Sequence, residues 1–407
     1  MSISRALAGL RVLDFTWYGA GPTGTKWLAN SGAQIIRVES QNRVDGFRPQ
    51  EPKMGDPASP NASLYFNNLN TDKYGILLDL NNAKGLALAQ QLAAISDVVI
   101  TNFSPRALDK WGLDYKSLKQ LREALIVIHM PAMGMTGPKR HYAGFGPGFK
   151  AIGGLNTLMG FEGTPPVGPQ GSYTDFCPVP SHCVVACLAA LHYRKRTGKG
   201  QFIDFSQYEC VINITGPSIL EYTVNGRVLP RIGNRHPAMA PHGGYPCKGD
   251  DRWVAIAMEN DEEWEAFCFV AEKPEWLEDR RFTTLLGRLE HVDELDRLVT
   301  EWTKTRTAEE VMFELQQAGV AAGVVQTSQD LFEHDIQLQA REHYVWLDHP
   351  ETGPTPNDRV AFRFNKLASE PMRAAPCMGE HNDFVFGEIL GLSVDEVNDL
   401  VIDGVLY

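Results

Sequence analysis

The feature that most constrains the fold is an alternation of short apolar runs with helical stretches through the first third of the chain. Arg11 to Thr16 reads as a buried strand, and the glycine-rich turn Gly19-Ala20-Gly21-Pro22-Thr23-Gly24 leads from it into a helix reaching about Ser31. Gln34 to Glu39 is a second strand. From Asn81 to Ile95 the residues Leu86, Ala89, Leu92, Ala93 and Ile95 recur at helical spacing. Further strands fall at Asp97 to Thr101 and Leu125 to His129, with short helices at Arg106 to Trp111 and Tyr115 to Arg122. Strands separated by helices pair in parallel through crossovers, so the pattern predicts an α/β fold with a parallel, Rossmann-like sheet.

The rest of the chain is too long to serve one simple core, since 407 residues suggest two domains or a large one with an insertion. Cys177 to Tyr193 is helical, with the small residues Cys183, Ala186, Cys187 and Ala190 beside Leu191 on one face, so another helix should pack close. A further helix spans Asp204 to Asn213. Val228 to Gly243 is rich in Pro, Gly, Arg and His and reads as a connection. Strands at Trp253 to Ala257 and Gly319 to Val325, with helices at Glu262 to Ala271, Leu289 to Trp302 and Ala308 to Ala318, predict a smaller α+β domain. Tyr344 to Phe364 reads as extended and Ser393 to Ile402 as a closing helix. The expected organisation is a large domain over 1–215, a linker over 216–245, the small domain over 246–330, and a return segment, 331–407, completing the large domain.

Composition narrows the function. A formal net charge of −12 argues against nucleic acid and anionic membranes as partners. The seven cysteines are odd in number and form no Cys-x-x-Cys pair, against a disulfide scaffold or zinc ribbon and in favour of a reducing, cytoplasmic setting. Met1 to Leu10 lacks the apolar run of a signal peptide, and no uninterrupted apolar run approaches the ~20 residues of a membrane span. No cluster of His, Asp and Glu has metal-ligand spacing.

Two segments carry chemistry. The turn at Gly19 to Gly24 fits G-x-G-x-x-G, yet no other feature of a dinucleotide site follows it. It is also compatible with a plain tight turn, or with a nucleotide-bearing cofactor whose carbonyl and pantetheine portions approach the loop. Gly171-Ser172-Tyr173-Thr174-Asp175 sets one acidic residue at the mouth of the helix that ends in Arg194-Lys195-Arg196-Thr197-Gly198-Lys199-Gly200-Gln201. Asp175 there is either a helix cap or a carboxylate nucleophile. A helix N-terminus would favour its ionised form.

Several segments, in their order and spacing, resemble the class III CoA-transferase family. They are Leu7 to Thr16 with Ala20-Gly21-Pro22, Gly32 to Glu39, Asn70-Thr71-Asp72-Lys73, Asn102 to Leu108, Arg196 to Gln201 and Gly379-Glu380-His381. The resemblance runs over nearly the whole chain. It implies a large Rossmann-like domain whose parallel sheet is formed from both chain ends, a small domain inserted late, and two interlocked subunits, as a homodimer or a heteromer with a related subunit. It implies Asp175 as the nucleophile, acyl-CoA and a carboxylic acid as substrates, and no permanently bound cofactor. Arg37 and Lys73 match positions that bind CoA in relatives; Lys110 and, from its charge, Arg106 are further candidates. Trp17, Tyr18 and Ala20 are expected along the thioester channel.

Departures from relatives shape the rest. Racemases of the superfamily pair an aspartate with a histidine that would fall within Ala143 to Pro147, where this chain has Phe145, with His141 out of register. Racemase therefore stands as the alternative to transferase, and Phe145 as a candidate substrate contact. Gly233 to Gly244 occupies the place of a mobile glycine run in relatives, with His236 and His242 as candidate contacts for an anionic acid. The surroundings of Asp175 and the Trp17-Tyr18 pair resemble the branch handling larger or aromatic acids. Succinyl-CoA is then the expected donor and (R)-2-benzylsuccinate the expected acceptor, with carnitine or another dicarboxylate as alternatives.

Overall fold

The computed structural model describes residues 5–169, 171–368 and 371–406. Six strands, β1 (Arg11–Phe15), β2 (Gln34–Glu39), β3 (Tyr74–Leu77), β4 (Val98–Thr101), β5 (Ile126–His129) and β6 (Phe202–Asp204), form one sheet in the order β3-β2-β1-β4-β5-β6. Every adjacent pair is parallel. The connecting helices are α1 (Ala20–Asn30), α2 (Leu64–Leu69), α3 (Ala83–Ala94), α4 (Pro105–Trp111), α5 (Tyr115–Leu121), α6 (Gly146–Ile152), α7 (Leu155–Leu158), α8 (Tyr173–Phe176) and α9 (Pro178–Thr197). The chain steps outward from β1 to β3, returns to lay β4 beside β1, and steps outward the other way. Strand order therefore reverses between β1 and β4, and such a reversal leaves a crevice at the carboxyl ends of the strands.

Strand alternation supplies two cores. Val12, Ile35, Val98, Ile100, Ile126 and Ile128 face Leu28 of α1 and Val179, Cys183, Cys187 and Ala190 of α9. Leu13, Ile36, Ile76, Val99 and Val127 face Leu88 and Leu92 of α3 and Leu118 of α5. Small residues let α1 and α9 approach: a side chain on Gly24 would touch Pro180 at 3.7 Å. The helical stretch Tyr173–Thr197 is long and apolar enough by composition to cross a membrane. In this fold its buried face is a core element against α1 and β5.

The family-based expectation placed strands from both chain ends in the sheet. Among the described residues all six come from residues 11–204. The return segment covers a sheet face instead, contributing Val385, Phe386, Val397, Val405 and Leu406 to the core under α3. It is tied there by two of the motifs. The His381 N–H donates to the Gly75 carbonyl at 3.0 Å, and the Asp72 carboxylate accepts from the Met372 and Arg373 N–H groups.

Compact clustering separates a large unit, Met1–Asn156 with Gly168–Val228 and Gln339–Tyr407, from a smaller one, Thr157–Val167 with Leu229–Leu338. Residues 216–225, expected within a linker, form a helix. After α10 (Gln207–Ile214), α11 (Gly216–Asn225) starts with Pro217 in its first turn and stops at Gly226, whose φ is +69°. The smaller unit has a three-stranded antiparallel sheet, β7 (His242–Pro246), β8 (Trp253–Ala257) and β9 (Ala321–Val324), over a core including Trp264, Phe267, Trp302 and Leu315. In the large unit, β10 (Tyr344–His349) and β11 (Gly353–Asp358) form a separate antiparallel ribbon. Pro354 and Pro356 lack N–H groups, which keeps β11 out of a sheet interior.

Candidate active site

A cavity of about 500 Å³ opens beyond the carboxyl ends of the strands, where the strand order reverses. Trp17 and Tyr18 line it after β1, Glu39 at the end of β2, Leu78 after β3, Asn102 after β4 and Pro131 after β5. Asp175 lines it from α8. The loop after β1 is held from several sides. The Trp17 N–H donates to Asn102 Oδ1 at 3.0 Å, and Asn102 Nδ2 donates back to the Trp17 carbonyl at 2.7 Å. Tyr18 sits at φ +64°, a left-handed conformation uncommon for a large residue. Its N–H donates to the Asp45 carboxylate, and Arg37 Nη1 donates to the Thr16 carbonyl at 2.6 Å.

Two glycines admit Asp175. A β-carbon on Gly146 would lie 2.6 Å from Asp175 Oδ1, and one on Gly19 would lie 3.0 Å from the Asp175 β-carbon and 3.3 Å from the Phe176 ring. The first glycine of the G-x-G-x-x-G run thus makes room for the acidic residue. The second, Gly21, packs on Thr16, which its β-carbon would meet at 2.2 Å. Asp175 does not cap α9; the residue preceding that helix is Cys177, with no side-chain capping bond.

The Asp175 side chain is buried, and its Oδ1 accepts no hydrogen bond among the described residues. Burial pushes the carboxyl up to about 6, opposed by the Gly146 N–H, the Thr174 hydroxyl and the Lys150 ammonium. Proximity to a helix start led to the opposite expectation, a favoured anion; loss of solvent outweighs it. Lys150, unnoticed in the sequence, is itself buried and donates to the Pro169 carbonyl and, at 2.6 Å, to the Gly171 carbonyl, bracing the loop before Asp175. Aromatic rings extend around the site: Tyr18 meets Phe145 at 5.0 Å and Phe47 at 5.7 Å, Phe47 stacks on Tyr65 at 4.4 Å, and Tyr65 meets Phe176 at 6.0 Å.

Of the residues singled out from sequence, Asp175, Trp17, Tyr18, Ala20 and Phe145 line this cavity. Arg37 and Lys73 do not, and their assignment to CoA phosphates needs correction. The Arg37 guanidinium is fully buried, paired with Asp45 and lying 3.5 Å from Glu39. Lys73 Nζ is fully buried, donating at 2.9 Å to both the Pro22 carbonyl and Asn70 Oδ1, with Asp14 at 3.6 Å. Burial pulls Lys73 down to about 7, against the pull of Asp14. Both head groups are shut off from solvent and lie outside the lining of this cavity. Arg106 is exposed on α4 beside the lining residues Pro105 and Ala107, and Lys110 donates at 3.0 Å to Asn81, which lines the cavity. Arg43, missed in the sequence, lines the cavity itself, its guanidinium 5.8 Å from the centre of the Trp17 ring. It lies in a polar loop with no motif to flag it.

His236 and His242 belong to the smaller unit and do not line the cavity. Their rings are 5.4 Å apart; His242 Nδ1 is 2.6 Å from the Asn234 carbonyl, and His236 Nδ1 accepts from the Ala238 N–H. His141, exposed, is bonded to Arg140 Nε and is likewise absent from the lining.

The succinyl-CoA–D-citramalate CoA-transferase of Chloroflexus aurantiacus is 32% identical over 393 residues, 97% of this chain and 96% of that protein. The succinyl-CoA–L-malate CoA-transferase beta subunit of the same organism is 30% identical over 399 residues, 97% and 96% of the two chains. The crystal structure of a CaiB/BaiF family protein from Brucella suis matches with a TM-score of 0.86 at 30% identity, covering 95% of this chain and 99% of that one. Residues 7–382 match CoA-transferase family III, and the chain belongs to that family: it is a family III CoA-transferase, an enzyme whose substrates are CoA thioesters.

Proposed function

We propose that the protein moves CoA from succinyl-CoA to a dicarboxylic acid, with Asp175 carrying the acyl group and then the CoA. The observation that carries this is the buried Asp175 carboxylate, lining the cavity at the reversal of strand order with one oxygen that accepts no hydrogen bond among the described residues, unlike the ion-paired Glu39. An Asp175 oxygen attacks the thioester carbonyl, giving a mixed anhydride and releasing CoA thiolate. The thiolate attacks the aspartyl carbonyl, giving an enzyme–CoA thioester and free succinate. The acceptor carboxylate attacks that thioester, forming a second anhydride and thiolate. The thiolate then attacks the acceptor's acyl carbonyl, and Asp175 leaves as carboxylate. Each step exchanges one acyl bond for another, so the thioester's free energy is conserved without ATP.

Burial suits Asp175 to this work. A carboxylate with a pKa near 6 is ionised at neutral pH yet more basic than a solvated one. The burial of Asp175 limits access of the water that would hydrolyse the anhydride. Arg43 on the cavity wall and Lys110 beside Asn81 are the cations proposed for the nucleotide phosphates. Phe145 at the place of a racemase histidine supports transfer over racemisation. The succinyl-CoA-dependent relatives named for citramalate and malate support a dicarboxylate acceptor. The aromatic rings from Tyr18 to Phe176 favour a second reading, an acceptor with an aryl substituent such as (R)-2-benzylsuccinate. For the assembly we propose an interlocked pair of this chain, or of this chain with a related subunit.

The test is to incubate the protein with succinyl-CoA, trap with hydroxylamine or borohydride, and map the modified residue by mass spectrometry. Modification at Asp175 is expected. An unmodified Asp175 in a preparation that turns over succinyl-CoA would overturn the proposal.

A further inference from the structure

A second cavity, of about 480 Å³, lies in the large unit and shares none of its described lining residues with the first. The two are served by neighbouring positions. Gly19 and Ala20 line the first, whereas Thr23 and Lys26, further along α1, line the second. In α8, Asp175 lines the first and Phe176 the second. Tyr65 also lines the second, and burial followed by the charge of Asp175 raises its phenol above the ordinary range. The catalytic carboxylate and the second cavity are therefore near neighbours.

Lys26 gives this cavity its chemistry. Its side chain is only 2% exposed, and its Nζ donates to Asn68 Oδ1 at 2.8 Å and to Asp358 Oδ1 at 3.1 Å. A buried ammonium needs a counter-charge, and Asp358, the last residue of β11, has a side chain 37% exposed. The hydrogen-bonded counter-charge thus comes from the rim, where a ligand's carboxylate can take its place, while the buried Asp72 adds attraction from farther off. The cavity's size falls within the range of small-molecule sites, and it combines a buried cation and an amide with the rings of Tyr65 and Phe176.

We infer that this second cavity receives the carboxylic acid substrate, with Lys26 holding a carboxylate in exchange for Asp358, so that acid and CoA reach Asp175 from separate cavities. This rests on Asp175 being the acyl-carrying nucleophile. The chemistry gives a reason for two routes: succinate must leave and the acceptor must enter while CoA stays covalently attached. With a dicarboxylic acid, one carboxylate reacts and the other pairs with Lys26.

The test uses exchange of labelled succinate into succinyl-CoA, succinate binding by calorimetry, and the dissociation constant of free CoA. Lys26→Met should raise the KM and Kd for succinate roughly tenfold or more, with free CoA binding unchanged and Lys26→Arg retaining part of the affinity. Asp358→Asn should shift succinate the other way, lowering its KM, because the competing carboxylate is gone. A purely structural tie predicts that both variants lower the melting temperature and leave succinate untouched, and that result would overturn the inference. If Lys26→Met fails to fold, Asp358→Asn and Lys26→Arg decide the matter by the sign of their effects. Labelling of Asp175 with succinate constants unmoved would sink this inference alone. Lys26-dependent succinate binding without Asp175 labelling would sink the covalent mechanism and leave the acid site standing.

Discussion

Replacing Asp175 with Asn should make the protein more stable while removing its activity. The carboxyl is raised from an ordinary 3.8 to about 6 in the folded state. A difference of about two units, at roughly 1.4 kcal/mol each, makes the buried anion cost about 3 kcal/mol. The sign follows from where the proton sits. Below the unfolded value both states hold it and the cost is absent. Between 3.8 and about 6 the unfolded chain ionises first, so stability falls as pH rises; above about 6 the full cost is present. Asn removes the charge but brings an amide that needs partners, at a cost of about 1 kcal/mol. The net expectation is a gain of roughly 2 kcal/mol near pH 8, turning into a loss of about 1 kcal/mol below the unfolded value, read as a melting temperature above the parent's at pH 8 and slightly below it in acid. Transfer should be abolished, since an amide cannot form the anhydride. A variant equally destabilised at both pH extremes would refute the reasoning, showing Asp175 to be a structural anchor.

Three further outcomes follow from the same geometry. The kcat/KM for succinyl-CoA should fall as pH drops through about 6, the value to which burial raises the Asp175 carboxyl; a profile flat down to about pH 5 would contradict an ionised Asp175. Gly146→Ala puts a methyl 2.6 Å from Asp175 Oδ1 and should cost about 100-fold in kcat or more with little loss of melting temperature. Arg37→Met breaks a buried ion pair and should destabilise by about 3–5 kcal/mol. The preference for CoA over dephospho-CoA should survive that change, whereas a phosphate ligand would lose it.

The sequence made the architecture legible because its strands are short, apolar and punctuated by glycine, and because helix and strand periods differ so clearly. Asp175 was legible through its place before the α9 helix. Its raised pKa was not, because the burial is tertiary: Gly19 and Gly146, which close on Asp175, come from segments far from it in sequence. Arg37 and Lys73 looked like ligands since the partners that hold them, Thr16 and Asp45 for Arg37 and Asp14 and Pro22 for Lys73, meet them only in the fold. Arg43 escaped notice because nothing local separates it from a surface arginine. The α11 helix inside the supposed linker did carry a signal, Pro217 near its start and Gly226 just beyond its end, overlooked beside the Pro-Gly-rich stretch that follows. Lys26 gave no sign at all, since only the ribbon from the far end of the chain brings Asp358 to it.

The most direct test of the central claim traces oxygen. Succinyl-CoA is incubated with succinate carrying heavy oxygen in its carboxylates, and the peptide containing Asp175 is weighed. In the proposed sequence the entering carboxylate contributes the bridging oxygen of the second anhydride, and that oxygen stays on Asp175 when the thiolate attacks the succinyl carbonyl. Heavy oxygen should accumulate in the Asp175 carboxylate in step with exchange of label into succinyl-CoA. Exchange into succinyl-CoA with an Asp175 peptide of unchanged mass would contradict the account.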